Sequence, residues 1–280
     1  MTISGITGPG QVHYEGDNSH DSLSPAIWSR VSIPADPRGG YSFFDDFHNF
    51  AGAVSTNVGT YNGAAGAYRS YEDTGGSIAQ LATNRNGVVR LTTDGTDNDE
   101  VWIQPGGATT VLGAVGSSFA NGNTLPLLFE TRFKISQITS GNLFLGLSEE
   151  GLAAADTITD AGALASKDFL GFAMLEDAAA TLKFIFRKAG GAAVTVATVK
   201  TLVEDTWYKV GFAFDPNGLA ANKITIYLDG VDIGTYVTST QLALATFPLD
   251  EELNILAGVK NSAAAALALD LDWVGFHQDR

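Results

Sequence analysis

Short runs in which apolar and polar residues alternate recur along most of the chain, and this pattern restricts it to one fold class. In residues 129–135 the aromatic and aliphatic side chains fall on one face of an extended strand, and Glu130, Arg132 and Lys134 fall on the other. Residues 207–214 alternate in the same way. A two-residue repeat is that of a β-strand, and a single apolar face is typical of antiparallel sheets. The pattern therefore predicts an antiparallel all-β protein in which residues 130, 132 and 134 face solvent.

One hairpin can be placed from its turn. Residues 223–228 alternate, Asp229 and Gly230 follow, and the alternation resumes with Val231 and Ile233. Both central residues of a type I′ turn have positive φ, a conformation that Asp-Gly pairs tolerate. We therefore expect two paired strands on either side of Asp229 and Gly230.

Similar runs predict further strands and, together, the architecture. They lie at 42–47, 77–82, 88–92, 100–104, 143–148, 169–175, 182–187, 194–199, 253–259 and 267–273. In the last run, Leu267, Leu269, Leu271 and Trp273 are predicted to share the inner face. No strand–helix–strand spacing appears, and the alanine-rich residues 151–167 allow at most a turn or two of helix. So many antiparallel strands predict a jelly roll over residues 41–280, in which two antiparallel sheets pack face to face.

Residues 1–40 differ from the rest of the chain and are predicted to form an extended N-terminal arm. They are rich in proline and glycine and lack a sustained apolar repeat, which disfavours helix and sheet. The arm also carries a set of candidate protein-binding residues, namely Ile27, Trp28, Arg30, Val31 and Ile33. Such an arm either packs on its own domain or reaches onto a partner, and both alternatives remain open.

The charge of the chain excludes several classes of partner. Lys and Arg number 16 against 31 Asp and Glu, so the net charge is −15 at pH 7. This charge repels phosphate backbones and anionic lipids, and we expect no nucleic-acid or membrane partner. The sequence also predicts no membrane span and no signal peptide. The absence of cysteine excludes disulfides, thiolate zinc sites and a cysteine nucleophile.

Three segments in the second half resemble the concanavalin A-like lectin and glucanase sandwich. Residues 205–215, around Trp-Tyr-Lys-Val, resemble one of its strands, and residues 224–234 resemble its Tyr-containing hairpin with an Asp-Gly turn. Residues 269–277, around Asp-Trp-Val, resemble its closing strand. The resemblance implies the jelly-roll sandwich but specifies little about function, because this fold hosts lectins, hydrolases and structural shells.

A narrower resemblance, spanning most of 41–280, is to tailed-phage virion proteins with this sandwich. Phe-Phe-Asp-Asp-Phe at 43–47, the strand entry at 88–104 and Asp-Leu-Asp-Trp-Val at 270–274 carry it. It implies a capsid decoration or cement protein that lies on the outer capsid surface of the virion and binds the major capsid protein. Lattice symmetry favours contacts between copies of the chain, as a homotrimer.

The sequence lacks the carboxylate pattern of glycosidases with this fold. Their Glu-x-Asp-x-Glu motif puts the nucleophile and the acid on one strand face, and none of the 10 glutamates begins it. No Gly-x-Ser-x-Gly elbow is present, although a Ser-His-Asp triad assembled by the fold remains open. We therefore expect no enzyme and no cofactor. The alternatives are a carbohydrate-binding module of a tail or fibre, with a glycan as partner, or a diverged hydrolase or lyase.

Two sets of residues could contradict this expectation. Asp94, Asp97 and Asp99 are weak candidates for calcium, which prefers several oxygen ligands, but an ordinary hairpin loop explains them better and we expect no metal. Four aromatic residues could stack on a sugar if they were exposed, although aromatic residues on alternating strands usually belong to the core. They are Trp102, Tyr208, Tyr227 and Trp273.

Overall fold

A computed structural model describes residues 23–29, 40–48, 50–55, 58–63, 66–81, 87–106, 125–175, 180–249 and 252–279. Their regular secondary structure is almost entirely β-strand, which confirms the predicted all-β class. Two single-turn helices accompany the strands: α1 (Pro25–Trp28) and α2 (Ser239–Leu242). Neither is long and apolar enough to span a bilayer.

The strands are numbered here in chain order. In order they are β1 (Gly40–Asp45), β2 (Ala51–Ser55), β3 (Val58–Gly63), β4 (Gly66–Glu72), β5 (Ser77–Leu81), β6 (Val88–Thr92), β7 (Glu100–Pro105), β8 (Leu127–Ile135), β9 (Gly141–Glu149), β10 (Phe169–Met174), β11 (Thr181–Arg187), β12 (Val194–Thr201), β13 (Trp207–Phe214), β14 (Ile224–Leu228), β15 (Val231–Val237), β16 (Leu253–Asn261) and β17 (Ala268–Asp279).

The strands form two antiparallel sheets, as the sequence predicts. Sheet A has the order β15-β14-β13-β8-β17-β6-β5, and β1 also pairs with β17. Sheet B has the order β12-β11-β10-β9-β16-β7-β4-β3-β2. The inner faces of both sheets enclose one large apolar core, in which phenylalanine rings from the two sheets meet. Phe212 of sheet A, for example, lies 5.5 Å from Phe184 of sheet B between ring centroids.

The predicted hairpin is present. Strands β14 and β15 pair, and the turn residues between them, Asp229 and Gly230, have φ of 50° and 77°. Both values lie in the left-handed region that a type I′ turn requires, so the turn chemistry fixes the register here.

The prediction for Trp273 is wrong, because β17 contains a bulge. Leu271 pairs with Phe133 and Trp273 pairs with the next residue, Arg132, so that Asp272 is an extra residue in the strand. An extra residue reverses the alternation beyond it. Trp273 therefore lies on the outer face of sheet A, where its ring contacts that of Phe44.

Two further differences between the sequence pattern and the structure are local. The pattern does not reveal strands β2, β3 and β4, because their many small residues show no apolar alternation. The acidic run at 94–100 is not in a hairpin: it crosses from β6 in sheet A to β7 in sheet B. Residues 151–167 contain turns and an isolated bridge between Ile158 and Leu164, which agrees with the expectation of at most a turn or two of helix.

Candidate functional site

The described part of the N-terminal arm packs on the outer face of sheet A. Residues 25–28 form a helical turn where the sequence predicted an extended chain. Ile27 is completely buried and contacts Leu128, Ala213 and Tyr227, which lie on β8, β13 and β14. Burying such a side chain stabilises a fold by roughly 1.5–3 kcal/mol.

A buried carboxylate on β8 holds this segment in place. The backbone N–H of Ser24 donates to Oε2 of Glu130 over 2.9 Å, and the indole Nε1 of Trp28 donates to the same oxygen over 2.7 Å. Glu130 has no exposed surface, so the expectation that it faces solvent is wrong. Burial raises the pKa of Glu130, while the donors on Ser24, the charge of Lys209 and the donor on Trp28 oppose that rise.

Three glycines lie directly against three side chains of the arm. A Cβ on Gly230 would lie 2.7 Å from Oγ of Ser24. One on Gly211 would lie 2.7 Å from Cδ1 of Ile27, and one on Gly275 would lie 2.7 Å from the Trp28 ring. We call Glu130, Gly211, Gly230 and Gly275 the arm seat. Glycine inside a strand often marks close approach of another chain segment, and this sequence signal could have located two of the four residues.

Replacing Gly275 by alanine is expected to displace Trp28, because the new Cβ would meet only the side chains of Trp28 and Leu23. The expected loss in free energy of unfolding is about 1–3 kcal/mol. Chemical denaturation measures it, and the indole N–H resonance of Trp28 reports the lost hydrogen bond. Gly95→Ala is the control, since a Cβ at Gly95 meets nothing within 4 Å. An unchanged indole resonance in Gly275→Ala would contradict the description of the seat.

The five predicted arm residues thus have two outcomes. Ile27 and Trp28 contact their own domain, which is the first of the two alternatives for this part of the arm. Arg30, Val31 and Ile33 lie outside the described residues, and their predicted role in binding a partner stays a prediction.

The outer face of sheet B is also covered, by residues 151–167, which we call the cover segment. Its backbone is held by side chains of the sheet: Gly151 N donates to Oε1 of Gln104 over 2.8 Å, and Nε of Arg69 donates to the carbonyl of Ala153 over 3.2 Å. Beneath it lies a second apolar cluster. Leu152, Ala153, Ile158 and Leu164 of the cover segment pack there on Tyr71, Trp102, Phe144, Phe169, Ala173, Ile185 and Leu256.

Buried charges fasten the middle of the cover segment. Glu100 accepts hydrogen bonds from Nε1 of Trp102, over 2.7 Å, and from the backbone N–H of Asp156. Lys260 is 1% exposed, and its Nζ lies 3.9 Å from Glu100 Oε1, 3.5 Å from Asp156 Oδ1 and 2.8 Å from Asp160 Oδ1. Burial acts to lower the pKa of Lys260, but the hydrogen bond to Asp160 and the three carboxylate charges outweigh it and raise the pKa.

The calcium candidates form no metal centre among the described residues, where no three His, Asp or Glu side chains group closely enough to hold an ion together. Asp94 instead accepts from the backbone N–H of Thr96 over 2.5 Å, as expected of a turn. Asp97 is exposed and Asp99 is buried. Burial, the hydrogen bond and charge of Asp94 and the charge of Asp73 raise the pKa of Asp99 to about 7.

Stability is expected to decrease as the pH rises from about 4 to about 7. Burial raises the pKa of Glu100 to about 7 despite its hydrogen bonds, and that of Asp99 has the same value, against ordinary values of 4.5 and 3.8. Both groups bind protons more tightly in the folded chain, so their contribution is complete below the ordinary values and is lost towards pH 7. Denaturation at pH 5, 6, 7 and 8 measures it. Glu100→Gln and Asp99→Asn should each flatten the profile, and a profile unchanged in both variants would contradict the assignment.

All four aromatic candidates for sugar stacking are buried. Tyr208 belongs to the main core, Trp102 lies under the cover segment, and Tyr227 lies under α1. Trp273 is 3% exposed although it is on an outer face. None of the four offers an open ring face to a sugar.

A third polar cluster joins β1 to β17. Ser42 Oγ lies 2.6 Å from Nδ1 of His277, and Nε2 of His277 lies 2.8 Å from Oδ1 of Asp279. Serine, histidine and aspartate in this order are the residue types of a hydrolytic triad. However, His277 is 3% exposed, and its Cε1 packs so closely on Gly40 that a Cβ there would lie 2.9 Å away.

Comparisons with known proteins support the fold. No protein-family model and no curated protein matches the chain. Among solved structures, a protein of unknown function from Shewanella oneidensis MR-1 is similar, with a TM-score of 0.52 and 15% identity over 92% of this chain and 95% of that one.

Two glycan-active enzymes are also similar at low identity. One is an endo-β-1,4-glucuronan lyase from the fungus Trichoderma reesei, with a TM-score of 0.48, 12% identity, and coverage of 84% of this chain and 94% of that one. The other is a non-specific endo-β-1,3(4)-glucanase from family GH16, with a TM-score of 0.45, 12% identity, and coverage of 88% and 94%. The two packed antiparallel sheets of the described residues are those of a jelly-roll sandwich, and identities this low carry no activity with them.

Proposed function

We propose that the chain is a non-enzymatic structural module that binds other proteins. The observation that carries this proposal is that the glutamates on the outer faces of the two sheets are buried under other segments of the chain. Glu130 and Glu100 are 0% and 2% exposed, and each accepts hydrogen bonds from segments of the same chain. Glycoside hydrolysis needs two carboxyl groups on either side of the bond that breaks, and neither glutamate can reach a substrate.

The cluster of Ser42, His277 and Asp279 is the strongest competing feature, and we assign it to structure. Its hydrogen bonds cross from β1 to β17 and hold an edge strand in place. A triad also needs donors that stabilise an oxyanion and an accessible base, and the His277 ring is buried against Gly40.

The more specific form of the proposal is a capsid decoration or cement protein on the outer surface of a tailed-phage virion. Its support is the resemblance of residues 41–280, and Arg30, Val31 and Ile33 are the proposed contacts to the major capsid protein. A homotrimer suits this role, because decorating proteins often occupy symmetric lattice positions.

One experiment tests the absence of enzymatic activity. The pure chain is incubated with laminarin, agar and alginate and, separately, with a fluorophosphonate probe that labels activated serines. We expect no reducing sugar, no unsaturated product and no labelling. Sustained product release, or labelling that Ser42→Ala abolishes, would overturn the non-enzymatic proposal. Glycan binding without turnover would favour the carbohydrate-binding alternative.

A second experiment tests the capsid partner. The chain is co-sedimented with purified capsids of a tailed phage that lack it, and the bound fraction is compared with that of the double variant Val31→Asp, Ile33→Asp. We expect the double variant to lose at least about tenfold in affinity, since two acidic groups would enter an apolar contact. Leu219→Asp is the control, because Leu219 is an exposed apolar residue in the turn between β13 and β14 and does not belong to the arm seat. Equal binding of all three chains would count against the arm as the contact.

A further inference from the structure

The arm seat recognises a particular sequence. Gly275 leaves space for the ring of Trp28, Ile27 is completely buried, and Glu130 accepts two N–H groups from the segment 23–29. Gly211 and Gly230 lie against Ile27 and Ser24, although the neighbouring backbone of Phe129 and the positive φ of the turn also favour glycine at these two positions. The seat thus fits both the shape and the hydrogen-bond donors of this segment.

An empty seat would be unfavourable. Without the segment, the apolar surfaces of Leu128, Ala213 and Tyr227 would meet water, and Glu130 would lose both donors. The occupied seat is consequently more stable than the empty one, whichever copy of the chain supplies the segment.

The segment is suited to meet a second copy. Residues 23–29 carry no charged side chain, whereas the whole chain has a net charge of −15. Copies of such a chain repel one another, so an uncharged apolar segment is the part that can approach another copy at least electrostatic cost.

The chain length between segment and domain permits this contact. Ten residues, 30–39, separate Ser29 from Gly40 at the start of β1, and they include Pro34 and Pro37. Ten extended residues reach up to ~33–36 Å, compared with a radius of gyration of ~18 Å for a domain of this size. This length allows the segment to reach a second copy whose arm seat lies near the start of β1.

We propose that copies of this chain exchange their 23–29 segments, so that the arm seat of one copy holds the segment of another. Every seat keeps the same contacts after exchange, and concentration then decides between the closed monomer and the linked form. Exchange from each copy to the next closes into a ring, which would supply the self-association that the proposed function includes. The inference extends that function but does not depend on a capsid or on the absence of catalysis.

Two introduced cysteines test the exchange, because the chain has none of its own. In Ser24→Cys, Gly230→Cys the paired Cβ atoms would lie 3.2 Å apart. The usual separation across a disulfide is roughly 3.5–4.5 Å, so a displacement of a few tenths of an ångström would allow the bond. The variant is equilibrated at a series of concentrations, oxidised and separated without reducing agent. We expect covalent dimers and larger species whose share rises with concentration. Ser24→Cys alone is the control for random coupling.

A second measurement avoids the strain of cysteine at the positive φ of Gly230. Tagged and untagged copies of the unaltered chain are mixed at high concentration, and the tagged copy is recovered. We expect untagged chain to accompany it, and we expect Gly275→Ala, which blocks the seat for Trp28, to prevent this. Only monomeric disulfide at every concentration, or recovery of tagged chain alone, would overturn the proposal. Both readouts are independent of capsid binding and of any hydrolysis.

Discussion

Replacing Glu130 by alanine should release residues 23–29 from sheet A and lower the free energy of unfolding by about 2–4 kcal/mol. The substitution leaves the N–H groups of Ser24 and Trp28 without their acceptor, and each unsatisfied buried donor costs about 1–3 kcal/mol. Undocking of the segment limits the loss but exposes Ile27. Urea denaturation measures the change, and hydrogen exchange at Ser24 reports whether the segment has left.

Glu130→Gln is the matched control for this prediction. Glutamine has nearly the same volume and keeps a carbonyl oxygen that can accept both hydrogen bonds. We expect it to retain most of the stability and to protect Ser24 from exchange. Slow exchange at Ser24 in Glu130→Ala would mean that the carboxylate does not anchor the segment.

The second large loss of stability is expected when Lys260 is replaced. Lys260→Met should lower the free energy of unfolding by about 3–5 kcal/mol near pH 8, because it leaves the buried carboxylate of Glu100 without its cation. The loss should be smaller by about 1 kcal/mol at pH 5, because a carboxyl group that titrates near 7 can take up a proton at pH 8 at a cost of only about one pKa unit. Glu100 has a pKa of about 7 and is neutral at pH 5, whereas Asp156 and Asp160 are largely exposed and remain solvated. Denaturation at both pH values measures the difference.

The double variant Lys260→Met, Glu100→Gln separates charge from packing. At pH 8 it should be more stable than Lys260→Met alone, although its amide has one acceptor fewer for Trp102 and Asp156. A loss that is equal at pH 5 and pH 8 would show that Lys260 acts through packing and not through its charge.

Much of the fold could be predicted because alternation and turn chemistry are local properties. Strands β6 and β13 begin and end where the sequence places them, and the Asp229–Gly230 turn has the predicted conformation. The sequence-based predictions fail where the pairing between strands, and not the local sequence pattern, decides the structure. Strand β4 pairs with β7 through its backbone, which needs no apolar repeat, and the bulge at Asp272 depends on the partner strand β8.

The polar contacts of the site could not be predicted, for a different physical reason. Glu130 alternates with Arg132 and Lys134 as a solvated residue would, and only a segment about a hundred positions away makes it buried. Glu100 and Lys260 are likewise far apart in sequence and meet because β7 and β16 are neighbours. Gly211 and Gly275, each inside an alternating strand, are the features of the sequence that could have indicated that residues 23–29 pack on sheet A.

The bulge in β17 has a consequence for how the chain can vary in length. Leu269 and Leu271 face the core before it, and Val274 and Phe276 face the core after it. Deleting Asp272 would join these two stretches into one uninterrupted alternation, so every core side chain would keep its face, while the ion pair with Arg132 would be lost. Deleting Leu271 instead would leave a core position without its side chain. Position 272 is thus a place where β17 can lose one residue, in evolution or by design, while its core side chains keep facing the core.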